Sequence, residues 1–300
     1  MKVRKVAEYW QGKQTVDGAG VRLRRLLGYS TAERADPFLL LDDMTSSDPE
    51  DYAQGFPWHA KRGIETITYV LEGSLAHRDS AGVSGAVPTG AAHWIRTGAG
   101  IIHEEMPVGA ADGRFAGFHL WLNMPRDQKM ADPLYRDARP SVIPVVSENG
   151  HKIRVLAGAA GGAAGPLRES SRGLEGYDIS LAPGKPYVVE IAAEKTIVVQ
   201  PIAGRVAVGG TEYAAPCALL MGAGGRVEIA ASGGRARVIV WAALPVGEPI
   251  AWGGSIVMAS DDDLEQAFRD LEKGRFTRGK AWADDAPLDA GAGAFFYEDE

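Results

Sequence analysis

Between Val21 and about Pro125 the chain alternates short apolar or β-branched runs with glycine, proline and aspartate, and no stretch keeps a 3.6-residue period. A chain so punctuated buries its apolar side chains by building sheets. The segments ETITYVLEG (65–73), AHWIRTGAGIIHEEM (92–106) and GFHLWLNM (117–124) are the clearest strands. After Gly150 the pattern restarts with IRVLAG, YDISLAPG, YVVEI and ARVIVWAA, again separated by glycine-containing turns. YVLEGSLAHRDSAGVSGAVPTGAAHWI from Tyr69 and QPIAGRVAVGGTEYAAPCALLMG from Gln200 share the order strand, glycine, strand, glycine-rich turn, strand. This faint repeat predicts an all-β chain of two antiparallel barrels, residues 1–145 and 146–276.

One helix is expected, over about 260–273 in the second unit. Ser260 can cap it, the following acids suit its N-terminal dipole, and Leu264, Ala267, Phe268 and Leu271 form an apolar stripe to lay on a barrel. The tail 277–300 is polar and glycine-containing apart from AFFY at 294–297, and it orders only if those aromatics dock.

The 300 residues, 45% hydrophobic and 24% charged, have the composition of a soluble globular protein with room for a large core. A formal charge of −7 provides no broad basic face for a phosphate backbone, which argues against nucleic acid as a direct partner. The start MKVRKVAEYW has no long apolar run, and nowhere do about eighteen consecutive apolar residues suggest a membrane span. A single cysteine, Cys217, leaves no internal disulfide, so a reducing, cytoplasmic setting without membrane attachment is expected.

All six histidines fall between residues 59 and 151 and only His151 lies after the boundary, so any histidine chemistry belongs to the first unit. Residues two apart on a strand face the same way, which pairs His59 with Lys61 and His103 with Glu105. Brought together inside a barrel, His59, His103 and Glu105 offer two imidazoles and a carboxylate. That donor set suits a first-row divalent metal and leaves positions open for substrate and dioxygen.

The words around these residues go further. DPFLLLDD (36–43), GFPWHAKRGIETITYVLEGSLAHRDSAG (55–82), HWIRTGAGIIHEEMP (93–107), HLWLNMP (119–125) and GEPIAWGGSIVMAS (247–260) occur in order and resemble the pirin family across roughly residues 20–275. The resemblance implies a bicupin, two cupin-type antiparallel β-barrels in one chain, with a metal site only in the N-terminal barrel. In that family the site is three histidines and a glutamate, from an H-x-H and an H-x-E. His59 matches the first ligand, His103 the third and Glu105 the fourth, whereas Lys61 stands at the second.

An ammonium about 4 Å from a divalent ion meets repulsion of roughly 4 kcal/mol per charge product at an effective dielectric of 20. Lys61 therefore turns away and leaves a three-ligand site, loses its proton and coordinates, or replaces the ion and pairs with Glu105. The expected cofactor is one divalent transition metal (Fe, Ni, Cu, Mn or Zn), or none if Lys61 takes its place. Of the remaining residues, Glu65, His93 and His119 are candidates to line the pocket, with a structural role favoured for Glu65. His77 and His151 receive no site role, and Trp58, Trp94 and Trp121 are packing or pocket wall.

Two functions follow from the resemblance. One is a metal-dependent dioxygenase of the quercetin 2,3-dioxygenase type, acting on a flavonol-like small aromatic enol with Glu105 as catalytic base. The other is a metal-free small-molecule-binding or regulatory protein acting through a protein partner, with Lys61 in place of a metal ligand. A barrel that keeps its site residues only as relics ranks below both.

Overall fold

A computed structural model of the chain describes residues 1–277. The expected docking of the aromatics at 294–297 lies outside the described residues. Strands dominate, as the glycine-punctuated pattern predicts, and every pairing between named strands is antiparallel.

Each half holds a seven-stranded sheet facing a four-stranded one. In the first half the large sheet runs Leu134–Ala138, Ala92–Arg96, Ile64–Glu72, Ala116–Asn123, Phe38–Asp43, Val21–Leu27, Lys13–Asp17. Its small sheet runs Phe56–Lys61, Ile101–Val108, Ser74–Asp79, Ser84–Pro88. The second half repeats the plan, which bears out the duplication. The two antiparallel barrels are each built as a facing pair of sheets that do not join into one, and the chain steps between the sheets at sharp glycine corners. Gly63, at φ +76°, is such a corner between the His59 strand and Ile64–Glu72. A Cβ there would stand 2.1 Å from the Val257 carbonyl oxygen, so both conformation and space require glycine.

Alternation along the strands sorts the side chains into layers. On Ile64–Glu72, Ile67 and Tyr69 face away from the small sheet and join Phe118 and Leu120 against Leu156, Val198, Ile239 and Trp241 of the second half. The two large sheets thus pack on each other to form the central core. Inside the second half the filling is apolar, with Ile153, Ile179, Val199, Val227 and Cys217 all fully buried. Burial in that core pushes the Cys217 thiol up to about 12. Inside the first half an apolar cluster around Val21, Val70, Leu75 and Phe115 fills one part, and histidines, threonines and charged groups fill the rest, so the chemistry lies in this copy of the plan.

The two ends of the chain are exchanged between the halves. Val6–Trp10 adds to the second half's large sheet beside Ala218–Met221. The helix Asp261–Glu272, capped by Ser260 Oγ accepting from the Asp263 amide at 3.2 Å, covers the outside of the first half's small sheet. Its buried Ala267 and half-buried Leu264 and Leu271 pack with Ala60 and Ile102, the outward neighbours of His59 and His103. Phe268, expected in the buried stripe, is 39% exposed because its ring lies over Gly253 at the edge of the contact. Among the described residues no helix is long and apolar enough to cross a membrane.

Candidate metal centre

His59 and His103 are direct cross-strand partners in the small sheet, and their ring centroids lie 4.5 Å apart. The register shifts between His103 and Glu105, a local irregularity of the kind that re-aims side chains beside sites. Across the interior, His119 is paired in register with Thr68. Both face the small sheet, on the side opposite Phe118 and Ile67. Lys61 completes the group at 1% exposure.

One hydrogen-bond network joins these groups. His59 Nδ1 lies 2.8 Å from the Pro57 carbonyl oxygen, so this nitrogen carries the proton and Nε2 keeps its lone pair. That Nε2 lies 3.1 Å from His103 Nε2, and His103 Nε2 lies 3.7 Å from Glu105 Oε2. Thr68 donates to Glu105 Oε1 at 3.1 Å, and its oxygen stands 3.0 Å from His119 Nδ1. His119 Nδ1–H therefore donates to Thr68, leaving Nε2 to accept from Lys61 Nζ at 3.2 Å. Lys61 also donates to Glu105 Oε2 at 3.4 Å and lies 5.3 Å from the centre of the Trp121 ring.

Burial, reinforced by the Lys61 charge, lowers His59 to about 4 and His119 to about 3, and holds His103 well below the ordinary imidazole value. Burial by itself would raise Glu105, but the ammonium of Lys61 overrides it and keeps the carboxylate ionised. Lys61 is lowered by burial and partly restored by Glu105. The group is therefore a buried ion pair surrounded by neutral imidazoles at pH 7.

Unfolded imidazole takes its proton near pH 6.5, whereas His59 in the fold takes it only near 4. Between these values the unfolded chain holds more protons, so His59 lowers stability as pH drops from 6.5 to 4, and His119, at about 3, carries the fall further. We expect His59 alone to remove roughly 2 kcal/mol from chelator-treated protein over this window, less than the full shift gives because His59 keeps some solvent contact. Urea titrations at stepped pH measure it; a slope unchanged by His59→Asn would refute the assignment.

The donor set fits a metal. Two nitrogens each about 2.1 Å from one ion stand roughly 3.0–3.4 Å apart at angles of 90–110°. The observed Nε2 separation of 3.1 Å falls in that span, and the Glu105 oxygen adjoins it. Ligand atoms of His59, His103 and Glu105 all lie within 4.8 Å of one another. Lys61 Nζ binds the same oxygen, Glu105 Oε2, that faces His103, so ion and ammonium compete for it.

The other sequence candidates separate. His119 joins the centre. Glu65, fully buried, lies on the opposite face of its strand and accepts from Trp94 Nε1 at 3.1 Å and from the Ser171 amide at 2.8 Å. It ties the halves together, and the suggestion that it lines the pocket is corrected by strand parity. His93 lies on the interior face as the cross-strand partner of Thr68 and is bonded to Asp137 rather than to the Lys61 network. Trp121 is pocket wall, Trp94 faces the second half, and Trp58 lies beneath the Arg78 guanidinium, 5.1 Å away. Thr68 was not picked out from the sequence, although it shares the Thr66 face of ETITYVLEG and its hydroxyl needs a partner wherever it is buried.

Comparison with known families bears directly on this centre. The family model for pirin matches residues 20–122, and the pirin C-terminal cupin domain matches 176–277. This chain belongs to the pirin family. A pirin-like protein of Caulobacter vibrioides is 38% identical over 278 residues, covering 92% of this chain and 100% of that one. The crystal structure of quercetin 2,3-dioxygenase from Acinetobacter baumannii superposes with a TM-score of 0.82 at 27% identity, covering 92% of this chain and 99% of that one. The Escherichia coli pirin YhhW, solved in complex with nickel(II), has the same fold, with a TM-score of 0.62 at 21% identity over 80% of this chain and 99% of its own. Pirin membership and the bicupin plan agree with the sequence reading, and every histidine except His151 lies in the half matched by the first model.

Proposed function

We propose that this pirin is a metal-dependent dioxygenase of the quercetin 2,3-dioxygenase type, with a flavonol-like aromatic enol as substrate. The observation that carries the proposal is the 3.1 Å approach of two neutral Nε2 atoms beside the ionised Glu105. His59, His103 and Glu105 would hold a divalent transition metal, which supplies Lewis acidity toward the enol oxygen and a site for dioxygen. Glu105 accepts the enol proton. Because its carboxyl is held low, that transfer needs stabilisation of the enolate, and Lys61 Nζ, 3.4 Å from Glu105 Oε2, offers the charge. Thr68 and His119 fix the orientation of both groups, and Trp121 gives an aromatic wall for a flat substrate.

A second reading is favoured by one observation. Lys61 satisfies both Glu105 and His119, which completes the network without an ion. On that reading the pocket takes a small molecule, or none, and function passes through a protein partner. Elemental analysis and oxygen uptake with quercetin, on tag-free native and Glu105→Ala protein, separate the two. The dioxygenase reading requires a transition metal that Glu105→Ala releases, together with oxygen consumption that is lost with it. Native protein that retains no metal at this centre and consumes no oxygen would sink it.

A further inference from the structure

Next to the first centre, where His77 is the cross-strand partner of Glu105 and His93 that of Thr68, His77, His93 and Asp137 come together from three strands. His77 belongs to the small sheet on Ser74–Asp79, and His93 to the large sheet on Ala92–Arg96. Asp137 is the cross-strand partner of His93 on the edge strand Leu134–Ala138. The two imidazoles stack with centroids 4.3 Å apart and an interplanar angle of 30°. His93 Nδ1 is hydrogen-bonded to Asp137 Oδ1. One ligand atom from each of the three residues lies within 4.8 Å of the others.

Three further features mark this cluster as built to receive something. Both histidines are more than nine-tenths buried, at 8% and 1% exposure, and neither His77 Nε2 nor His93 Nε2 has a hydrogen-bond partner. An unpartnered ring nitrogen is unfavourable inside a fold, and here two stand on facing sheets. Space is kept beside one of them: Gly85 is the cross-strand partner of His77, and a Cβ on it would come within 3.1 Å of His77 Nε2. Finally, the Asp137 side chain is 60% exposed, which gives a path from solvent to the buried rings.

We propose that His77, His93 and Asp137 form a second metal site, separate from His59, His103 and Glu105, that binds a borderline divalent cation of the Zn2+ class. Two imidazoles and one carboxylate are the donors such an ion prefers, and three protein ligands leave a position for water. Ligand atoms within 4.8 Å of one another need only a small closing movement to surround an ion at bond lengths of about 2.0–2.2 Å. Asp79 and Tyr135, each two residues from a ligand on the same strand face, lie buried against each other, and Asp79 Oδ2 can receive a hydrogen bond from water on the ion. The two sites share no ligand.

The test is Zn2+ stoichiometry by equilibrium dialysis on tag-free, chelator-stripped full-length protein. His93→Gln and Asp137→Asn should each bind one equivalent fewer than the parent, and Gly85→Val, which fills the space beside His77, should do the same. The same one-equivalent difference should persist in a Glu105→Ala background, so the result stands whether or not the first centre holds metal. Asp137→Asn alters a solvent-facing carboxylate and should leave near-ultraviolet circular dichroism unchanged. If folded His93→Gln and Asp137→Asn bind as many equivalents as the parent, the cluster is a stacked histidine pair with an ion-paired aspartate and the proposal is wrong.

Discussion

Glu105→Gln is expected to lower the melting temperature of chelator-treated protein by roughly 6–20 °C. The substitution removes the carboxylate but leaves the Lys61 ammonium at 1% exposure with only His119 and the Trp121 ring for company. Breaking one side of a buried ion pair destabilises by about 3–5 kcal/mol, because the remaining charge must be desolvated alone. In a chain of this size each kcal/mol moves the transition by about 2–4 °C. Lys61→Met should then rescue Glu105→Gln, since the double variant buries neither charge. Differential scanning calorimetry of both single variants and the double variant measures the coupling. Strict additivity would mean that the 3.4 Å contact does not hold the pair together.

The second large effect runs through the same lysine. Replacing Lys61 by histidine removes a like charge beside the metal position and adds a third nitrogen, as a fourth ligand, on the face that already carries His59. Relief of even half of the roughly 8 kcal/mol between a divalent ion and an ammonium at that distance corresponds to about a thousandfold tighter binding of the metal. Competition against a chromophoric chelator, in a His93→Gln background so that only the first centre is read, measures the change. An unaltered dissociation constant would show that Lys61 already points away when metal binds.

Much of this was legible because strands enforce a period of two. His59 with Lys61 and His103 with Glu105 could be paired on faces from spacing alone, and the structure places all four in one network. The restart after Gly150 likewise announced the duplicated plan. What spacing could not supply was which neighbour each strand would find. Glu65 sits two residues before Ile67 and three before Thr68, and only the packing of the two large sheets decides that it faces Trp94 and Ser171 rather than the histidines. His77 and His93, sixteen positions apart, meet because two sheets face each other, and nothing local to either residue signals the other. The helix stripe was readable, but its destination was not: an apolar face specifies that it must be covered, not by which half.

That destination, together with the path of the first strand, has a consequence for how the molecule is made. The strand Val6–Trp10 is made before its partner Ala218–Met221 and cannot pair until that segment has followed it, while the first half waits for the helix Asp261–Glu272, which is made after both sets of sheets. Neither half is therefore an autonomous unit of synthesis. Until these segments have met, the Ala218–Met221 edge and the apolar backs of the His59 and His103 strands are open to other chains. Docking of these two segments is thus also the step that seals two adhesive surfaces, and a nascent chain stalled before Asp261–Glu272 would be prone to aggregate through the outer face of its own candidate metal centre.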